Sequence, residues 1–234
     1  MNIARCIIGE ECRPKPYTAS MIDTRFHLPD NDAAFVTHSS ESKIMDNNFY
    51  SKQELLNLGF ASVGTHVFIS KKASIYNPDK INIGSNVRID DFCLLSGKIT
   101  IGNFIHIAAY TSLCGGSAGI TLADFVNLSR KIEIFAISDD FSGETMTNPM
   151  VPEKFKNILN APVLLHKHVL VGTSSVILPG VTLEEGCVVG ALSLVKNSLP
   201  AWTINAGIPA RTLHARSKSL LGLEKTFLET NSHA

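Results

Sequence analysis

The sequence has no apolar run near the ~20 residues that carry a helix across a bilayer. Its opening stretch, MNIARCIIGEECRPKPY, lacks the apolar centre of a signal segment. Neither a membrane span nor a secreted protein is expected. Excess charge is missing too: 21 Lys+Arg balance 21 Asp+Glu, for a net charge of +0. No basic patch or RNA motif appears, which argues against nucleic acid as a partner. Cysteine is sparse and odd in number, five in 234 residues. A disulfide framework is therefore not expected, and a reduced cytoplasmic setting is.

What the chain does have is a beat of six. Val63, Ile69 and Ile75 are six apart, as are Ile83, Ile89, Leu95, Ile101, Ile107 and Leu113. Leu122, Leu128 and Ile134 continue it, and Leu165, Val171, Ile177, Leu183, Val189 and Val195 complete it. A helix face repeats near 3.6 residues and a strand face near 2, so six fits neither as one element. It fits a short strand plus a corner, repeated, with one aliphatic side chain per unit facing inward. Gly follows the aliphatic residue in Val63-Gly64, Ile83-Gly84, Ile101-Gly102, Val171-Gly172 and Val189-Gly190. Small or β-branched residues recur four places after it, among them Cys93, Thr111, Ser175, Cys187 and Ser193. Cys93 and Cys187 are thus read as core packing. Three units per coil predict an all-β solenoid, a triangular parallel β-helix of six coils standing roughly 29 Å tall at the usual strand spacing. A composition of 44% hydrophobic and 18% charged residues suits one sizeable core.

Residues 1–44 carry no repeat and are expected to be a poorly ordered extension, with Met45 a candidate natural start. Residues 45–62 are expected to cap the first coil, because Ser51 and Glu54 form a capping box ahead of Leu55. The β-helix is assigned to 63–211 and an amphipathic C-terminal cap to 212–234. The beat breaks between Ile134 and Leu165. The intervening segment, 137–162, holds Asp139, Asp140, Phe141, Ser142 and several prolines. Long loops on repeat scaffolds are commonly functional, and this one reads as a defined polar lobe.

The repeat, the string IFAISDDFSGETMTNPM and the closing stretch VGTSSVILPGVTLEEGCVVGALSLVKNSLPAWTINAGIPAR together resemble one family. The chain is similar to the left-handed β-helix hexapeptide acyltransferases, nearest to the sugar O-acetyltransferases of surface-polysaccharide synthesis, with galactoside and maltose acetyltransferases as relatives. The resemblance covers about residues 45–215. It implies the left-handed sense, a homotrimer with active sites between prisms, and acetyl-CoA as acyl donor along the C-terminal coils. It implies cofactor contacts at Thr173, Ala191, Lys196, Ile208, Pro209 and Arg211, and an acceptor pocket near Asp140, Phe141 and Ser142. Lys196 is one residue away from the family's lysine position.

The resemblance also places Asp139 where the galactoside and maltose enzymes carry a histidine base. An aspartate with an ordinary pKa near ~3.9 is a weak base for a sugar hydroxyl. His106, in GNFIHIAAY, is the other candidate, paired with Asp139 so that the carboxylate orients the ring. His166 and His168 invite a metal reading, but the carboxylates and histidine spacing of the hexapeptide carbonic anhydrases are not evident, so no metal is expected. Transfer of acetyl to a sugar hydroxyl, in cell-surface polysaccharide synthesis, is the leading reading. N-acylation of a nucleotide-linked amino sugar is the alternative, since an amine needs less base. A non-catalytic or metal-binding trimer is the third.

Overall fold

The computed structural model describes residues 48–231. The expected N-terminal extension lies outside the described residues. Within them the eighteen beat positions form three vertical stacks of six. On face one, Val63, Ile83, Ile101, Leu122, Leu165 and Leu183 pair in parallel register. Face two stacks Ile69, Ile89, Ile107, Leu128, Val171 and Val189. Face three stacks Ile75, Leu95, Leu113, Ile134, Ile177 and Val195. Sixteen of these side chains are buried, and Val63 and Ile75, in the first coil, pack against the same core. The fold is a parallel β-helix of about seven turns. The extra turn beyond six comes from Thr203–Gly207, which pairs with Val188–Val189 and places buried Asn205 above Val189. An asparagine in the inward slot hides that turn from an aliphatic count. Its amide is satisfied internally, donating to Val188 O at 3.1 Å and Thr203 Oγ1 at 2.9 Å.

Three edges join the faces. The first edge, between faces one and two, turns on one left-handed residue per coil: His66, Asn86, Phe104, Phe125, His168, Gly186 and Trp202. Their side chains pile up. Phe104 stacks on Phe125 at 5.0 Å and Phe125 on His168 at 5.0 Å. Gly186 has no side chain because a Cβ there would lie 2.5 Å from the Trp202 ring. The second edge, between faces two and three, does the same with Phe92, Tyr110, Lys131, Ser174 and Leu192. Buried hydroxyls tie down its backbone: Thr111 Oγ1 donates to Ser129 O, and Ser175 and Ser193 donate to Gly190 O. The third edge carries every insertion. Strands Leu94–Ile101 and Ser112–Leu122 run through it without a sharp corner, and the long loop leaves from it.

Both ends are closed. The helix Lys52–Asn57 starts on the expected capping box, with Ser51 Oγ accepting from Glu54 N and the Glu54 carboxylate from Ser51 N. Its Leu55 is buried in the first coil. At the far end Ala210–Ala215 folds back antiparallel on Thr203–Gly207. The helix Leu220–Asn231 then returns to the first edge. Phe227 meets Phe104 and Phe125 edge-on, and Glu224 pairs with Lys167 and with His168 Nε2 at 2.8 Å. Burial raises the Glu224 carboxyl, but bonds to Lys167 and His168 outweigh it and hold the group below its usual value. No described helix is long and apolar enough to cross a membrane. Cys93 and Cys187 are buried, and desolvation pushes both thiols to about 11.

Candidate active site

The second edge is a rail of small residues. The residue after the inward one of face two is, coil by coil, Ser70, Asp90, Ala108, Ser129, Gly172, Gly190 and Ala206, with Ala206 lying against Gly190. A Cβ on Gly172 would lie 2.5 Å from Ala191 N, so the coils touch backbone to backbone. Thr173 and Ala191 sit side by side at this edge, both exposed, and Leu192 N donates to Thr173 O at 2.9 Å. The Thr173 hydroxyl donates to Arg130 O at 2.7 Å, linking this coil to the one before. Ile208 and Pro209 continue the rail through a cis peptide bond, with Ile208 75% exposed. Arg211 is exposed opposite Ala206. The structure thus gathers five of the six expected cofactor residues toward one edge. Lys196 is the exception: it follows Val195 on face three and belongs to the third edge.

Nearer the N-terminus the same edge opens into a cleft of about 400 Å3 lined by Phe49, Arg88, Asp90, Phe92, Tyr110 and Arg130, among others. His106 lies beside it. It sits mid-strand between inward Ile105 and Ile107, so its ring points outward from face two rather than from a corner. Its Nε2 meets Asp90 Oδ2 at 2.9 Å, and Arg88 Nε donates to Asp90 Oδ1 at 2.7 Å. Within the chain the expected His106–Asp139 pair is not formed: among the described residues the ring's carboxylate partner is Asp90.

Asp139 stands on the third edge, in the loop. Ile137–Ser138 leaves antiparallel to the returning Leu159–Asn160, and Glu153–Phe155 forms a short 3-10 turn. Asp140 builds the turn that follows. Its carboxylate accepts from Ser142 N at 2.8 Å, from Thr145 N at 3.2 Å and from Thr145 Oγ1 at 2.8 Å. The Ser142 bond and its companions lower its pKa to about 2. The carboxylate is committed to shaping the loop. Phe141 projects outward, 93% exposed, and Ser142 Oγ accepts from Glu144 N. A second cleft, about 350 Å3, is lined by Ile137, Ser138, Asp139, Glu153 and Lys156, among others. Lys156 pairs with Glu153 at 2.9 Å with its own side chain only 3% exposed. Sequence reading missed Lys156, Arg130 and Tyr110. The signal for Tyr110 was there: a large aromatic in the same corner slot as Phe92, one coil earlier.

His166 and His168 do not share a strand face. The strand ends at Leu165, and the two histidines span the turn. His168 is buried in the first-edge stack, while His166 is exposed with Glu184 at 3.9 Å.

No protein-family model matches the chain. Individual relatives do. The chain is 47% identical over 177 residues to the dTDP-4-amino-4,6-dideoxy-D-glucose acyltransferase of Escherichia coli, covering 74% of this chain and 92% of that protein. It is 30% identical to a putative colanic acid biosynthesis acetyltransferase of Escherichia coli K12, over 69% and 73% of the two chains. Among solved structures, AntD, an N-acyltransferase from Bacillus cereus in complex with dTDP and 3-hydroxybutyryl-CoA, superposes with a TM-score of 0.78 at 52% identity, covering 80% of this chain and 99% of that one. A coiled stack with a small-residue rail and one protruding loop defines a hexapeptide-repeat protein. The chain belongs to the left-handed β-helix hexapeptide acyltransferases, in the group that includes sugar-modifying enzymes.

Proposed function

We propose that this protein transfers an acyl group from acyl-coenzyme A to the amine of a nucleotide-linked 4-amino sugar. The observation that carries this reading is the near full-length match to a relative named for a dTDP-4-amino sugar. It displaces the sequence-based preference for a polysaccharide hydroxyl in favour of the alternative weighed beside it. The loop supports the reading, since it offers the Asp139 carboxylate and no histidine. A neutral amine attacks the thioester carbon without first losing a proton, so a strong base is not needed. The C–S bond then breaks, the nitrogen yields its proton to Asp139, and the thiolate leaves and is reprotonated as free coenzyme A.

A second observation supports Asp139. Solved structures of the Bacillus relative include variants of a serine and of an aspartate ten residues further on. Among the described residues, Ser129 and Asp139 are the one pair with that order and spacing. Ser129 stands on the second-edge rail, directly before Arg130. Asp139 leaves from the third edge, so the reading has a loop from one protomer completing the rail of another in a homotrimer. Acyl-coenzyme A then runs along Thr173, Ala191, Ile208 and Pro209, with Arg211 toward a phosphate. The decisive experiment follows free thiol release with acyl-coenzyme A and two acceptor sets, dTDP-4-amino sugars and the matching 4-hydroxy sugars. Release with the amino sugars alone is expected. Release with the hydroxy sugars alone overturns the reading.

A further inference from the structure

The proposed function leaves the 400 Å3 cleft at the N-terminal end of the second edge unexplained. It lies on the same rail as Thr173 and Ala191, on the three coils that precede Thr173. Phe92 and Tyr110 form one wall. They stack at 4.9 Å with 25° between their planes, yet remain 50% and 47% exposed. Both occupy left-handed corner positions, with φ of 60° and 64°, where bulky residues are uncommon. An exposed aromatic pair held at such positions is a stacking platform that burial does not account for.

The charges of the cleft are sorted. Asp90 is held between Arg88 and His106, and Asp91 between Lys72 and Ser70. Bonding to Lys72 and Ser70 holds the Asp91 carboxyl below its usual value. Both carboxylates are thus covered by cationic or donor groups. Arg130 is different: it is exposed at the rim and has no carboxylate partner among the described residues. A guanidinium fork left open beside an aromatic platform suits an aromatic base joined to a phosphate chain.

We infer that this cleft holds the nucleoside diphosphate of the acceptor, its base packed on Phe92 and Tyr110 and its diphosphate on Arg130. The inference rests on the proposed function and adds a direction to it. The acceptor enters from the N-terminal coils and the acyl donor from the C-terminal coils. They meet on the rail near Ser129, between the Tyr110 and Thr173 levels.

The test is calorimetric titration of the full chain with dTDP and, separately, with coenzyme A. The variants are Arg130→Ala and Tyr110→Asn, the second chosen because asparagine tolerates a left-handed corner. Wild type is expected to bind dTDP. Each variant is expected to bind it about tenfold or more weakly, as loss of a stacking face or a charged fork does. Coenzyme A affinity should stay within about twofold in both, which distinguishes a lost contact from a damaged fold. If wild type binds dTDP and both variants match it, the cleft assignment is overturned while the proposed function stands. If wild type binds no dTDP, the assignment and the nucleotide-linked acceptor fall together.

Discussion

The first and second edges turn the coils in six residues from one inward side chain to the next, whereas the third edge takes four, six, eight, nine or thirty-one. Side-chain stacking explains the contrast. On the first edge the left-handed residues that carry rings stack on one another, as in Phe104, Phe125 and His168. An extra residue there would break two contacts at once. On the third edge the turning positions are glycines such as Gly97, Gly116 and Gly180, with little to stack. An insertion there costs chiefly the entropy of closing its own loop, which grows slowly with length. The molecule therefore keeps its proposed ligand rail on a rigid edge and its variable chemistry on the tolerant one.

The largest expected effect comes from breaking the rigid side. Ile101→Asp places an unpaired charge between Ile83 and Leu122 in a stack that is 2% exposed there. A loss of several kcal/mol is expected, about half or more of a domain's stability. On the tolerant side, Phe141→Asp at a 93% exposed position should change stability by less than about 0.5 kcal/mol. Melting temperatures measured side by side check both, and equal shifts would erase the distinction between core stack and loop.

Next in size is a rate effect. Asp139→Asn should lower turnover by about 10²–10⁴ with acyl-coenzyme A affinity kept, as removal of a proton acceptor does. His106→Ala should stay within about threefold of wild type, because its ring is bound to Asp90 beside the cleft rather than to the loop. Steady-state rates with saturating donor read both. The reverse ranking would move the proton-accepting role from the loop to face two.

The smallest effect is a pH response confined to the loop. Asp140 has its folded pKa lowered from 3.8 to about 2, so the order it gives the loop is complete above 3.8. That order is lost as pH falls through about 2. The amide NMR signals of Ser142 and Thr145 should titrate with a midpoint near 2. A midpoint near 4 would mean the carboxylate is free, as expected for an unperturbed aspartate at about 3.9.

Legibility in the sequence follows the same division. The eighteen aliphatics were readable because a parallel stack demands one inward side chain at fixed intervals. The seventh turn was not, because Asn205 satisfies that slot with hydrogen bonds instead of apolar contact. The capping box was readable because its two partners are three residues apart. The partner of His106 was not: Asp90 is sixteen residues away and becomes its neighbour only through coil stacking. The bonds of Asp140 to Ser142 and Thr145 were not legible either, because a turn's side-chain partners depend on how the loop folds. Lys196 matches a family position by motif, and its place on the third edge, after Val195, came only with the coil register.

A coiled stack in which each turn touches only its neighbours can open one turn at a time from either end. The C-terminal helix changes that. Phe227 reaches the Phe104 and Phe125 turns, and Glu224 grips the Lys167 and His168 turn. One rigid element thus fastens three successive turns, two of them on the near side of the long loop and one beyond it. Those turns lose the freedom to fray singly and must open together, so the zipper becomes a block in its middle. That block includes the turn carrying Ser129 and the departure of the loop, which ties the geometry of the proposed reaction centre to a helix packed on the first edge.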